Sequence, residues 1–135
     1  MTQEDKKLLL KDLCTRLPYN VICQVEFKEN GKYNSKVMLL SGIFTDEAYF
    51  TTKGGSIYSN EYNPYLFPLS SMTEEEKLKY EGLMIGTDNI SYMLDVIDWL
   101  NAHHFDYRGL IKKGLAIDAT NLNIYYDRER KGKSL

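Results

Sequence analysis

Both histidines of the chain, His103 and His104, fall in the stretch from Asp98 to Gly109, with two carboxylates, the only Trp and an Arg. Imidazole and carboxylate side by side can do two kinds of chemistry. One is acid–base work: His103 or His104 as base, oriented by Asp106 or Asp98. The other is metal ligation, for which His and Asp suit zinc or ferrous iron. The spacing serves neither well. Adjacent residues on a helix point about 100° apart, whereas a helical metal motif sets its histidines four apart. Ser70 and Ser71 could be nucleophiles, but nothing in the sequence brings them to the histidines. Gly54-Gly55 lacks the Lys and Ser/Thr of a phosphate loop, and there is no nucleophile elbow. The same residues have a plain structural use: cations offset the negative end of a helix dipole, and Asp106 can cap the next turn with Arg108 nearby. An interaction surface made by His103, His104, Asp106 and Arg108 is the functional alternative.

A second candidate is aromatic. The chain has eleven Tyr, five Phe and one Trp. Tyr49, Tyr58, Tyr62, Tyr65 and Phe67 crowd one region, where they could line a groove for an extended or proline-rich peptide. Their irregular spacing favours a role as core. Cys14 and Cys23 match no zinc spacing and read as small core residues.

These residues need elements to hold them. Thr2 to Leu17 carries Leu9, Leu10, Leu13 and Leu17 at helical spacing, with Thr2 as cap and Pro18 as stop. Val21 to Lys28 alternates, with Val21, Cys23, Val25 and Phe27 on one face. Asn30-Gly31 then makes the strongest short hairpin signal, and Tyr33 to Leu40 returns until Ser41-Gly42 bends the strand. Short strands follow around turns at Thr45-Asp46-Glu47 and Lys53-Gly54-Gly55-Ser56. Asn63 to Leu69 is extended, and its two prolines suit a sheet edge. From Ser71 the period changes. A capped helix runs from about 72 to 83, ended by Gly82 and Gly86, and a second from about Ile90 to His104, capped by Asp88 or Asn89. Met93, Leu94, Val96, Ile97 and Leu100 give the second helix a broad face for burial.

The expected fold is α+β: an N-terminal helix (2–17), a small curled antiparallel sheet (about 20–68, an SH3-like barrel), and a helical C-terminal half (about 72–104 and short further elements) packed on it. One domain spans 1–126, and 127–135 is a charged, flexible tail. Formal net charge is −2, which disfavours a general nucleic-acid binder, although a small barrel aided by Arg128, Arg130, Lys131 and Lys133 is the form one would take. No stretch approaches the roughly 20 apolar residues a membrane helix needs, and the first residues lack a signal-peptide pattern. The expected location is the cytoplasm, with no membrane partner.

Three stretches carry a resemblance: Lys11-Asp12-Leu13-Cys14-Thr15-Arg16-Leu17-Pro18-Tyr19, Tyr65 to Glu76, and Asp98 to Leu115. Together they resemble a large group of uncharacterised small proteins from gut anaerobes, many of them carried on phages and other mobile elements. The middle, about residues 24 to 63, lies outside the resemblance. It implies a bacterial or phage setting and action through binding, and it assigns no catalytic residue and no cofactor. The expected function is a non-enzymatic protein-interaction module with an unidentified protein partner. The alternatives are a small hydrolase or metal-dependent enzyme using His103, His104 and Asp106, and a nucleic-acid-binding small barrel.

Overall fold

Leu9, Asp12, Leu13 and Arg16 recur at i, i+3, i+4 and i+7, and all four are buried on one face of the first helix, α1 (Gln3–Arg16). The computed structural model describes residues 1–44, 47–85 and 89–125. Thr2 caps α1 by accepting from the Asp5 N–H at 3.0 Å, and a short 3-10 turn through Pro18 leads into the sheet.

Strands β1 (Ile22–Glu29) and β2 (Lys32–Ile43) form the expected hairpin. Asn30 and Gly31 both have positive φ, 53° and 77°, as a two-residue turn of this type requires. Ser41-Gly42 does not end β2. The register shifts between Leu40 and Gly42, a bulge that bends the strand and lets it continue to β3 (Ala48–Thr52). A two-residue turn at Lys53-Gly54 joins β3 to β4 (Gly55–Ser59). The turn expected at Thr45-Asp46 lies outside the described residues.

Strand β5 (Glu61–Pro68) departs from the expected edge position. It pairs antiparallel with β1 from Glu61 to Pro64, then changes partners. Its second half lies parallel to β7 (Ile117–Asp118) at Tyr65 and Leu66, and to β6 (Phe105–Asp106) at Phe67 and Pro68. Each proline stands at the end of a pairing, where a missing N–H costs little.

The result is one seven-stranded sheet of order β4-β3-β2-β1-β5-β6, with β7 also on β5. It curls, so that the Ser59 hydroxyl at the end of β4 donates to the Glu26 carbonyl of β1 at 2.6 Å. It is not closed into a barrel, which corrects the finer expectation. Strand β4 has a ladder with β3, and β5 has ladders with β1, β6 and β7, but among the described residues no ladder joins β4 to β1 or β5.

The second half supplies the two expected helices, and its short further elements include β6 and β7. Helix α2 (Glu74–Met84) opens on a full capping box, Thr73 accepting from Glu76 N–H while the Glu76 carboxylate accepts from Thr73 N–H. Gly82 lies inside α2, and Gly86 and Asp88 are outside the described residues. Asn89 caps α3 (Ile90–Ala102). The broad apolar face of α3 is only half buried: Val96 and Leu100 are in the core, but Met93 and Leu94 are 51% and 58% exposed. The first turns of α3 overhang the core instead of covering it. The core itself lies inside the curl, under α1 and the C-terminal half of α3, with Val21, Cys23, Val25, Phe50, Leu66, Phe105 and Leu110 fully enclosed.

Candidate functional site

The histidine cluster sits where α3 ends. His103 terminates the helix, its ring lying 4.5 Å from that of Trp99 and its Nδ1 2.9 Å from the Trp99 carbonyl. His104 takes a left-handed backbone (φ 63°), which turns its ring the other way, stacked 3.7 Å from Tyr125. The two imidazoles thus rest on different aromatic partners. Asp106 is 8% exposed and turns inward, accepting from Leu110 N–H at 3.0 Å and Ile111 N–H at 2.9 Å. It caps the next turn and faces neither ring through any bond seen among the described residues. No group of three or more His, Cys, Asp or Glu there is placed to hold a metal ion.

Arg108 reaches past Asp106 to α1. Its Nε lies 3.2 Å from Asp12 Oδ1. Arg16, wholly buried, donates to Asp12 through Nε at 2.6 Å and to the Phe105 carbonyl at 2.7 Å. The two guanidinium groups lie 5.1 and 5.3 Å from the centre of the Tyr107 ring. The Tyr107 hydroxyl donates to Asn101 at 2.8 Å. Sequence reasoning passed over Asp12 and Arg16. A signal was present, an Asp–Arg pair four apart on the same face as Leu9 and Leu13. This network locks α1, the end of α3 and the 105–109 turn together.

The aromatic set divides three ways. Tyr65 and Phe67 are core residues, 7% and 3% exposed. Tyr62 packs on Phe50 at 5.3 Å, on the inner side of the curl. Tyr49 and Tyr58 are direct cross-strand partners on the outer face, 4.9 Å apart, and Phe44 joins them 5.6 Å from Tyr58. Phe44 and Tyr58 are more than half exposed. Cys14 is exposed, against the core position expected of it, because it lies off the Leu9–Leu13 face. Cys23 is enclosed, and burial pushes its thiol well above the ordinary range. The same effect raises the phenols of Tyr62, Tyr65 and, most strongly, Tyr125.

The sheet leaves an open seam where it fails to close. Among the described residues, strand β4 pairs with β3 on one side only. Strand β1 pairs with β5 as far as Glu26, so Phe27, Lys28 and Glu29 have no β5 partner. Between these two unpaired stretches runs a groove of about 560 Å³, lined by Glu26, Phe27 and Lys28 on one bank and Ile57, Tyr58 and Ser59 on the other. The Ser59–Glu26 bond marks its closed end. Edge strands are ordinarily blunted by charge or proline; β4, Gly-Ser-Ile-Tyr-Ser, carries neither.

Comparison with protein-family models, with curated proteins and with solved structures finds no match in any of the three. Among the described residues no helix is long and apolar enough to cross a membrane. The seam's geometry consists of two strand stretches without ladder partners among the described residues, with Phe27 and Ile57 between them and a polar rim.

Proposed function

We propose that the protein is a non-enzymatic protein-interaction module that takes an extended segment of a partner as an added strand in the open seam. The observation carrying this reading is the pair of unpaired strand stretches, β4 and the outer end of β1, that face each other across one groove. Strand addition uses main-chain hydrogen bonds for affinity and alternate side chains for specificity. An inserted strand would complete the SH3-like barrel that the sequence pattern suggests, since the order β4-β3-β2-β1-β5 is already in place. Tyr58, with Tyr49 and Phe44 beside it, would give the partner a half-exposed aromatic anchor. The bacterial or phage cytoplasm implied by the family resemblance is the proposed setting. His103, His104, Asp106 and Arg108 serve in this reading as supports of the α3 terminus.

The test is selection from a library of extended peptides on the immobilised protein, with binding sites mapped by NMR. Perturbed amides in Gly55–Ser59 and Phe27–Glu29, and loss of binding when the selected peptide is N-methylated at alternate residues, are the expected results. Binding that maps elsewhere, or is indifferent to N-methylation, would overturn the proposal.

A further inference from the structure

The two faces of the seam differ in chemistry, and the difference says what kind of strand would fit. Side chains alternate across a sheet. On β1, Cys23 and Val25 point into the core, so Phe27 shares their face. On β4, Ile57 pairs with the buried Phe50 and points the same way. The inner face of the seam is thus apolar at Phe27 and Ile57, with Glu29 at the exposed end of β1. The outer face carries Glu26 and Lys28 of β1, Tyr58 of β4 and Glu61 of β5, which is the direct partner of Glu26. Glu47 also lines the groove.

Glu26 and Glu61 directly opposite one another are a like-charge pair, which costs stability in a ladder. The ion pairs found among the described residues are both at Asp12, and none involves Glu26, Glu47 or Glu61. Only a long contact of 3.5 Å from the Tyr33 hydroxyl reaches Glu61. Lys28, the one cation among the described residues lining this part of the groove, lies over the Tyr33 ring at 5.2 Å. Glu26 and Glu61 also line the neighbouring groove, which holds Met1 and Lys6, and Glu47 lines one that holds Lys6 and Lys7. Among the described residues, the lining of the seam itself holds three carboxylates and one ammonium.

We infer that the strand entering the seam alternates apolar and basic residues, its apolar side chains meeting Phe27 and Ile57 and its Lys or Arg side chains meeting Glu26, Glu61 and Tyr58. The inference rests on the strand-addition reading and adds the partner's chemistry to it. Basic side chains on the outer face would relieve the Glu26–Glu61 repulsion, and Tyr58 offers them a ring face as well. The partner is a protein segment of this pattern, presented at a terminus or on an exposed loop or edge.

Three synthetic peptides of one length test it by calorimetry: Val-Lys-Val-Lys-Val-Lys-Val, and the same with Thr or Glu replacing Lys. Exposed ion pairs are weak individually, so two or three of them should make the Lys peptide bind about three- to tenfold tighter than the Thr peptide. The advantage should shrink as salt rises from about 50 to 500 mM. It should also shrink in Glu26→Gln and Glu61→Gln, isosteric changes at exposed positions. The Glu peptide should bind weakest. Equal binding of Lys and Thr peptides at the seam would overturn the charge inference and leave strand addition standing. Binding of none of the three, in a protein that also yields no seam-binding peptide from the library, would overturn both.

Discussion

At the scale of single residues, the costliest commitments are polar groups inside the core. Asp12 holds one wholly buried guanidinium, Arg16, and one partly exposed one, Arg108. The Arg16 Nη1 is buried with no acceptor among the described residues, so Asp12 carries most of that group's compensation. Asp12→Ala should therefore destabilise the protein by about 3–5 kcal/mol, since it strands a buried charge. Urea unfolding measures it; a loss below about 1 kcal/mol would mean that the pair is dispensable. Tyr125 makes a different commitment. Its hydroxyl accepts from Ile22 N–H and donates to the Tyr65 carbonyl, each at 2.8 Å, tying the last described residue to β1 and β5. Burial raises its phenol and the Cys23 thiol above their ordinary values. The folded state thus keeps protons that the unfolded chain releases at about pH 8.5 for Cys and about pH 10 for Tyr. Stability from these groups is full below those values and falls as pH rises through them. The melting temperature should decline steadily above about pH 9, and the decline should be shallower in Tyr125→Phe, which loses the titrating group. An identical alkaline slope in the variant would show that Tyr125 does not contribute.

At the scale of elements, α3 shows most clearly what a pattern can and cannot say. Its apolar stripe reads as one face, yet the core meets only its C-terminal half. Leu100→Ala should cost about 2–5 kcal/mol, the range for an enclosed leucine. Leu94→Ala, on the overhanging turns, should stay within about 0.5 kcal/mol. Thermal unfolding of the two variants checks the contrast, and equal losses would place both residues in one buried face. The local signals of the chain were legible because their causes are local: Thr2 as a cap, capped starts for α2 and α3 (the latter at Asp88 or Asn89), Asn30-Gly31 as a turn, and Asp106 holding the turn after α3. The misreadings have non-local causes. Nothing near Pro64 and Pro68 announces that β5 will exchange β1 for β6 and β7, whose two-residue strands are too short to show a period. Nothing near Met93 says where the core stops. The histidine cluster was legible as a helix end. The seam was not, because it is defined by pairings that are missing between strands far apart in sequence.

At the scale of the whole molecule, those pairings grade the fold from a firm centre to a loose rim. Strand β1 has neighbours on both sides up to Glu26, and β5 is flanked along its length by β1, β7 and β6. Both lie over enclosed side chains from α1, α3 and the C-terminal turns. Strand β4 has one neighbour and two large side chains, only one of them turned inward. Local opening should follow this gradient, since regions with few buried contacts and exposed hydrogen bonds open at the lowest free energy. Amide exchange should be slowest at Cys23–Val25 and Tyr65–Phe67, and fastest at Gly55–Ser59 and the first two turns of α3. A rim of that kind suits strand addition: β4 can adjust to an incoming segment while β1 stays fixed as a template. Binding of the Val-Lys peptide should then slow exchange in Gly55–Ser59 and Phe27–Glu29 by about tenfold or more when the peptide is present well above its dissociation constant, while the α3 overhang stays unchanged. Protection spread evenly over the sheet and α3 would point instead to global stabilisation by a ligand bound outside the seam.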